Sequence, residues 1–101
     1  MQKFDAIVIG SGQGGNPLAR KLSGKGWKTA IIERRSLGGT CINDGCTPTK
    51  AMIACAKVAH TLFHSKQWGI HSHGLHVDLP FIVARNNNIV EDFRNGTAKG
   101  L

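Results

Sequence analysis

Apolar and polar positions fall into blocks along this chain, and the period of the blocks changes as the chain proceeds. Phe4 to Ile9 carries the continuous apolar run Ala6-Ile7-Val8-Ile9, the pattern of a parallel strand buried on both faces. Leu18, Ala19 and Leu22 then recur at helical spacing until Gly24-Lys25-Gly26 stops them. Thr29-Ala30-Ile31-Ile32 reads as a second strand and ends at Glu33. From Thr49 the period is helical again, with Met52, Cys55, Ala56, Ala59, Leu62 and Phe63 on one face and Lys57, His64 and Lys66 turned away. Gln67 to Leu75 is a polar, glycine-containing loop. Asp78-Leu79-Pro80 is a helix start, with an acid to cap it and a proline in the first turn. That last helix is expected to reach about Asn95-Gly96, to bury Ile82, Ile89, Val90 and Phe93, and to keep Asn86-Asn87-Asn88 on its wet side.

The turn after the first strand is Gly10-Ser11-Gly12-Gln13-Gly14-Gly15, a G-x-G-x-x-G. Strand, glycine turn, helix, strand and acid in this order make a dinucleotide-binding βαβ unit. Gly10 permits a tight exit from the strand, Gly12 lets the backbone approach a pyrophosphate, and Gly15 lets the helix pack close to the sheet. Ser11 and Gly14 complete the turn, and the helix behind it offers free N–H groups to phosphate. Glu33, 18 residues after Gly15, can accept ribose hydroxyls and would repel a 2′-phosphate. Pro17 falls in the first helical turn, where a missing N–H does no harm. The expected fold is α/β: a Rossmann-like βαβ unit followed by two long helices.

Between the second strand and the first long helix lies Leu37-Gly38-Gly39-Thr40-Cys41-Ile42-Asn43-Asp44-Gly45-Cys46-Thr47-Pro48-Thr49-Lys50. Cα atoms five residues apart in a regular helix are roughly 8 to 9 Å apart, whereas a disulfide needs them within ~7 Å. A Cys41–Cys46 bridge therefore requires the backbone to leave regular helix. Gly45 tolerates that, and Pro48 disfavours helical geometry at Thr47. A small bridge of this kind is strained and accessible, and such bridges are more often redox-active than structural. Cys41, behind Gly-Gly-Thr, is expected near a helix start whose dipole favours its thiolate. Asp44, between the two thiols, is an acid that could raise a thiol pKa.

Gly39 to Lys50 resembles the motif G-T-C-x-N-x-G-C-x-P-[ST]-K of the class I pyridine nucleotide-disulfide oxidoreductases, the flavoprotein disulfide reductases. Thr47-Pro48-Thr49-Lys50 and the upstream Gln13-Gly14-Gly15-Asn16-Pro17-Leu18-Ala19 are most similar to the mercuric reductase-like and dihydrolipoamide dehydrogenase branch. Asp44 departs from the pattern, where a small or apolar residue is commoner. The resemblance covers essentially the whole of this chain and only the first part of the family's much longer polypeptide.

The resemblance implies FAD on the βαβ unit, at Gly10, Ser11, Gly12, Gly14, Gly15, Glu33, Gly39, Thr40 and Lys50, and Cys41 and Cys46 as the catalytic pair. Cys46 is implied as the thiol nearer the flavin and Cys41 as the one that exchanges with an outside disulfide. Thr40 is implied at the flavin's pyrophosphate or ribityl chain, and Lys50 at its ring. NAD(P)H is implied as electron donor, at a site outside this chain, with a small-molecule or disulfide substrate and a homodimer in the full-length protein. The family's FAD domain takes further strands from sequence far downstream, so an incomplete FAD domain is expected here, with the nicotinamide-binding and dimerisation domains lacking. The chain is expected to be a fragment, a truncated product or an incomplete gene, and to be inactive alone.

Composition adds limits. A chain of 101 residues is at most one small domain. The net charge of +7 comes from dispersed residues with no aromatic-interleaved stripe, so no nucleic-acid surface is expected. The apolar run near Met1 is too short for a signal peptide or a membrane span, and a cytoplasmic location is expected. There a cysteine pair is catalytic or metal-binding rather than a staple. Cys55 lies on an apolar helix face and is read as a small buried hydrophobe. His60, His64, His71, His73 and His76 lack ligand-like spacing to cysteine or carboxylate and are read as solvated or capping, with no metal site. Two alternatives stay open: a non-catalytic dinucleotide-binding remnant, and a Cys/His module for soft metals.

Overall fold

A computed structural model describes residues 1–101. Strand β1 (Ala6–Ile9) and strand β2 (Thr29–Ile32) pair in parallel, with Ala6 opposite Thr29 and Ile9 opposite Ile32. Helix α1 (Gly15–Gly24) crosses between them and packs on both strands. Three further helices follow: α2 (Gly39–Asn43), α3 (Cys46–Phe63) and α4 (Leu79–Lys99). A short 3-10 turn over Ser65–Trp68 and an irregular stretch join the last two. These three helices pack on one another and contribute Ile42, Ala51 and Val90 to a small buried seam, while Ala19 is buried in α1.

The α/β expectation holds, and several finer expectations need correction. The strands are not buried on both faces: Ile7, Ile9 and Ile32 are exposed, Ile9 at 84%. Helix α1 covers one side of the two-stranded sheet and no other element of the chain packs against the opposite one. α3 begins at Cys46 rather than near Thr49, because Pro48 sits in its first turn and withholds an N–H that has no intrahelical acceptor there. Thr47 is accordingly helical.

α4 continues through Gly96 to Lys99. Thr97 Oγ1 donates back to the Phe93 carbonyl at 3.0 Å, and Arg20 Nε holds the Gly100 carbonyl at 2.7 Å. Asp78 does cap this helix, accepting from the Phe81 N–H at 3.2 Å. Asn86 is not on the wet side: it is 6% exposed, with its Oδ1 unpaired, whereas Phe93 is 55% exposed. Nor are Met52 and Cys55 core residues. They line an open apolar cleft of about 680 Å3 between α3, the segment around Val77 and α4, and Cys55 Sγ accepts from Arg85 Nη1 at 3.7 Å.

The chain is long and thin, 67 × 24 × 17 Å with a radius of gyration of 19.9 Å, against about 13 Å for a compact chain of this size. Only eight residues are buried, so each close contact counts. At Gly15 a Cβ would fall on the Gly10 carbonyl oxygen and come within 3.1 Å of Val8 Cγ1. Gly15→Ala is therefore expected to destabilise the chain by about 1–3 kcal/mol through overpacking. Gly14→Ala meets open space and is expected to be neutral or to stabilise by up to ~1 kcal/mol. Urea unfolding of the two variants beside the parent checks this, and equal midpoints would contradict the packing argument.

Candidate active site

The glycine turn and the thiol segment meet face to face. Ser11, 1% exposed, donates from Oγ to Glu33 Oε2 at 2.7 Å and from its N–H to the same oxygen at 3.0 Å. Its Oγ also accepts the Gly38 N–H at 3.1 Å. One small side chain thus joins the turn after β1, the acid after β2 and the glycine pair ahead of the cysteines. Gly39 has φ +77°, and a Cβ there would lie 2.6 Å from Gly12 Cα. The two backbones touch because neither residue has a side chain.

Around this contact lie two clefts. One, of about 310 Å3, is lined entirely by polar residues and glycines, among them Gly10, Ser11, Gly12, Glu33, Gly39 and Thr40. The other, of about 890 Å3, holds Cys41, Cys46 and Lys50 with Asn16 and Phe93 at its walls. Gly12 belongs to both. Of the expected site residues, Gly14 and Gly15 alone line neither; they open α1. Asn16 keeps a buried Oδ1 without a donor in the thiol cleft.

Glu33 accepts a third bond, from the Arg35 N–H to Oε1 at 3.0 Å. Its carboxyl is held at about 2, well below the usual 4.5, by the Ser11 hydroxyl first and by the Ser11 and Arg35 amides after it. The acid is therefore ionised throughout the physiological range.

The thiols sit across a break between helices. α2 ends at Asn43, Gly45 adopts φ −119° and ψ −107°, and α3 opens at Cys46. This is the departure from regular helix that a Cys41–Cys46 bridge would require. Both thiols are free, Cys41 half-buried and Cys46 exposed. Cys41 is the third residue of the five-residue α2, and its thiol is pushed above its ordinary pKa rather than below it. Hydrogen bonding to the Cys46 side chain is the chief cause, followed by burial and by the Cys46 charge; the Cys46 N–H and Lys50 pull the other way. Asp44 is not among the causes. Its carboxylate pairs with Arg35 Nη2 at 3.3 Å on the surface.

Two residues near the thiols drew no attention in the sequence. Asn43 Nδ2 donates to the carbonyls of Leu37 and Gly39, and its Oδ1 accepts from Arg94. Asn43 stands at the N of the motif G-T-C-x-N-x-G-C, which was a usable signal; Arg94, 51 residues away, offered none. His60 and His64 pack edge to face with ring centroids 4.2 Å apart, but no three His, Cys, Asp or Glu side chains converge on a point that could hold a metal ion. No helix is long and apolar enough to cross a membrane.

The sequence profile described as "Pyridine nucleotide-disulphide oxidoreductase" matches residues 4–99. The chain belongs to that family. The family's cofactors are FAD and a pyridine nucleotide, NAD(P)H. A dihydrolipoyl dehydrogenase of Chlamydia muridarum is 43% identical over 95 residues, covering 94% of this chain and 20% of that protein. The mitochondrial dihydrolipoyl dehydrogenase 1 of Arabidopsis thaliana is 42% identical over 94 residues, covering 91% and 18%. Among solved structures, the HOCl-induced flavoprotein disulfide reductase RclA of Escherichia coli, described as a Cu(II) complex, superposes with a TM-score of 0.75 at 33% identity. It covers 96% of this chain and 19% of that one. The chain thus spans about a fifth of the length of the relatives it matches.

Two consequences of this geometry can be measured. Because Glu33 is depressed on folding, its contribution to stability is complete above pH 4.5 and is lost as pH falls toward 2. A carboxyl NMR titration is expected to place Glu33 near 2, and to move it up toward the ordinary range in Ser11→Ala; a midpoint near 4.5 in the parent would contradict the hydrogen-bond geometry. For Cys41, the pH midpoint of alkylation is expected above that of an ordinary thiol and to fall in Cys46→Ala. An unchanged midpoint would mean that Cys46 does not govern it.

Proposed function

We propose that this chain is the FAD-binding and redox-dithiol segment, residues 1–101, of an NAD(P)H-dependent flavoprotein disulfide reductase. The observation that carries the reading is the junction at Gly12, where a wholly polar cleft ending in an ionised acid abuts a cleft containing two thiols and a lysine. The residues present fit FAD. The Gly12–Gly39 backbone contact, which a Cβ at Gly39 would prise apart, sets the two clefts side by side, and the polar cleft offers acceptors and amides in place of apolar walls. Bound there, FAD would supply two-electron transfer between a reduced nicotinamide and the thiol pair.

Gly10, Gly12 and Thr40 would hold the phosphate-bearing part of the cofactor, Gly14 and Gly15 would present the first amides of α1 to it, and Ser11, whose two donors are taken by Glu33, would orient that acid toward the cofactor. A carboxylate offers about four lone-pair sites; Ser11 and Arg35 engage three at Glu33. Glu33 therefore has room for one ribose hydroxyl rather than two, and its charge disfavours a 2′-phosphate. Lys50, one turn into α3 from Cys46, holds a positive charge beside the thiols. Cys46 would stand as the thiol nearer the flavin, and Cys41 as the one that would exchange with an outside disulfide or other acceptor of the lipoamide, glutathione or mercuric-ion kind. Nicotinamide binding and dimerisation are assigned to parts of a longer homodimeric protein, and turnover is expected to need them.

The protein mixed with FAD and desalted is expected to keep flavin absorbance, and to gain a long-wavelength band on adding a dithiol. Cys46→Ser is expected to keep the flavin and lose the band. If flavin is not retained, the reading fails. Should Cys46→Ser change nothing, the chain is a dinucleotide-binding remnant without redox chemistry.

A further inference from the structure

The thiol segment is fastened from one side by a single pair of side chains. Asn43 closes α2, and its Nδ2 lies 3.0 Å from the Leu37 carbonyl, 2.9 Å from that of Gly39 and 3.3 Å from that of Ser36. An amide nitrogen has two hydrogens, so these carbonyls use its donors in full. Its Oδ1 accepts from Arg94 Nε at 2.9 Å and Nη2 at 2.7 Å. The amide has one workable orientation, since a flip would set NH2 against guanidinium and oxygen against carbonyls. Arg94 has no carboxylate partner; the chain's one salt bridge joins Arg35 and Asp44. Its charge is aimed instead at one neutral oxygen, in a half-buried place where such a bond is stronger than on open surface.

We infer that Arg94 is a positioning residue for the thiol pair. Through Asn43 it fixes α2, and so Cys41, against α4 and against the first residue of α3, which is Cys46. The inference rests on reading Cys41 and Cys46 as a redox pair. Without Arg94 the Asn43 oxygen has no donor, the amide is free to turn, and the Leu37 and Gly39 carbonyls are released. Because Gly39 touches Gly12, the slack reaches the polar cleft as well.

The test is the exchange equilibrium of the protein with glutathione. The two thiols and one oxidised glutathione give one Cys41–Cys46 bridge and two reduced glutathiones. Two S–H bonds and one S–S bond break, one S–S bond forms, and both hydrogens end on glutathione. Trypsin releases residues 36–50 as one peptide holding both cysteines and not Cys55, so the bridged form is weighed as two hydrogens lighter. In Arg94→Leu the bridge is expected to need a glutathione ratio about tenfold more oxidising, the effective concentration of one thiol at the other having fallen. Arg94→Lys, which offers a compact ammonium in place of the two converging donors, is expected to fall between. Loss of stability alone does not move this equilibrium among folded molecules, which circular dichroism identifies at the same temperature. If Arg94→Leu fails to fold, Arg94→Lys carries the test with a shift in the same direction. Folded variants with the parent's equilibrium, or with an opposite shift, overturn the inference alone. A parent protein that forms no Cys41–Cys46 bridge at any ratio overturns the proposed function with it.

Discussion

The arrangement of this molecule depends on the hydrogen bonds that converge on Ser11. Its hydroxyl and amide fix the Glu33 carboxylate, and its oxygen receives the Gly38 amide. Three segments distant in sequence are registered by a side chain of two heavy atoms, buried where water does not compete. A hydrogen bond to a charged group is among the stronger contacts open to a neutral donor. Here it also decides which way the acid faces and where the glycine pair enters the thiol segment. The Gly12–Gly39 contact follows from that placement, since the chain from Gly38 is delivered against the turn with nothing between the backbones.

What this registration holds together is slight by the standard of a globular domain. The buried seam is made of Ile42, Ala51 and Val90, and the sheet has two strands with one apolar side open. Hydrophobic burial of this extent cannot dominate the folding balance in the way it does for a compact chain. Directed polar contacts therefore carry a larger share of the specificity: Ser11 with Glu33 and Gly38, Asn43 with Arg94, Arg20 with the Gly100 carbonyl. The exposed Ile7, Ile9 and Ile32 and the apolar cleft beside Met52 are surfaces of the kind that partner elements cover.

The parts legible in the sequence were those whose cause is local. An apolar run, a glycine turn at fixed spacing, a helical period and an acid after the second run define the βαβ unit because each acts on its own neighbours. The break between Cys41 and Cys46 was legible from helix geometry, and Asp78 from capping. The errors came where one local signal has two readings. Pro48 reads as a breaker, yet in a first turn it is harmless, so α3 starts at Cys46. Asn86 is polar, yet it lies on the packed side of α4. Asp44 lies between the thiols in sequence, yet its charge is taken up by Arg35. The Arg94–Asn43 bond and the Gly12–Gly39 contact join positions far apart in the chain, and no window of sequence contains both members of either pair.

The break at Gly45 has one more consequence, which is mechanical. α3 extends from it for 18 residues, an arm of about 27 Å at the ordinary helical rise. A turn of about 5° at the break would sweep the far end, at Phe63, through about 2 Å, more than the movement at the thiols themselves. The cysteine pair thus sits at the fulcrum of a lever, and whatever sets the angle between α2 and α3 also sets where the distant end of the molecule lies.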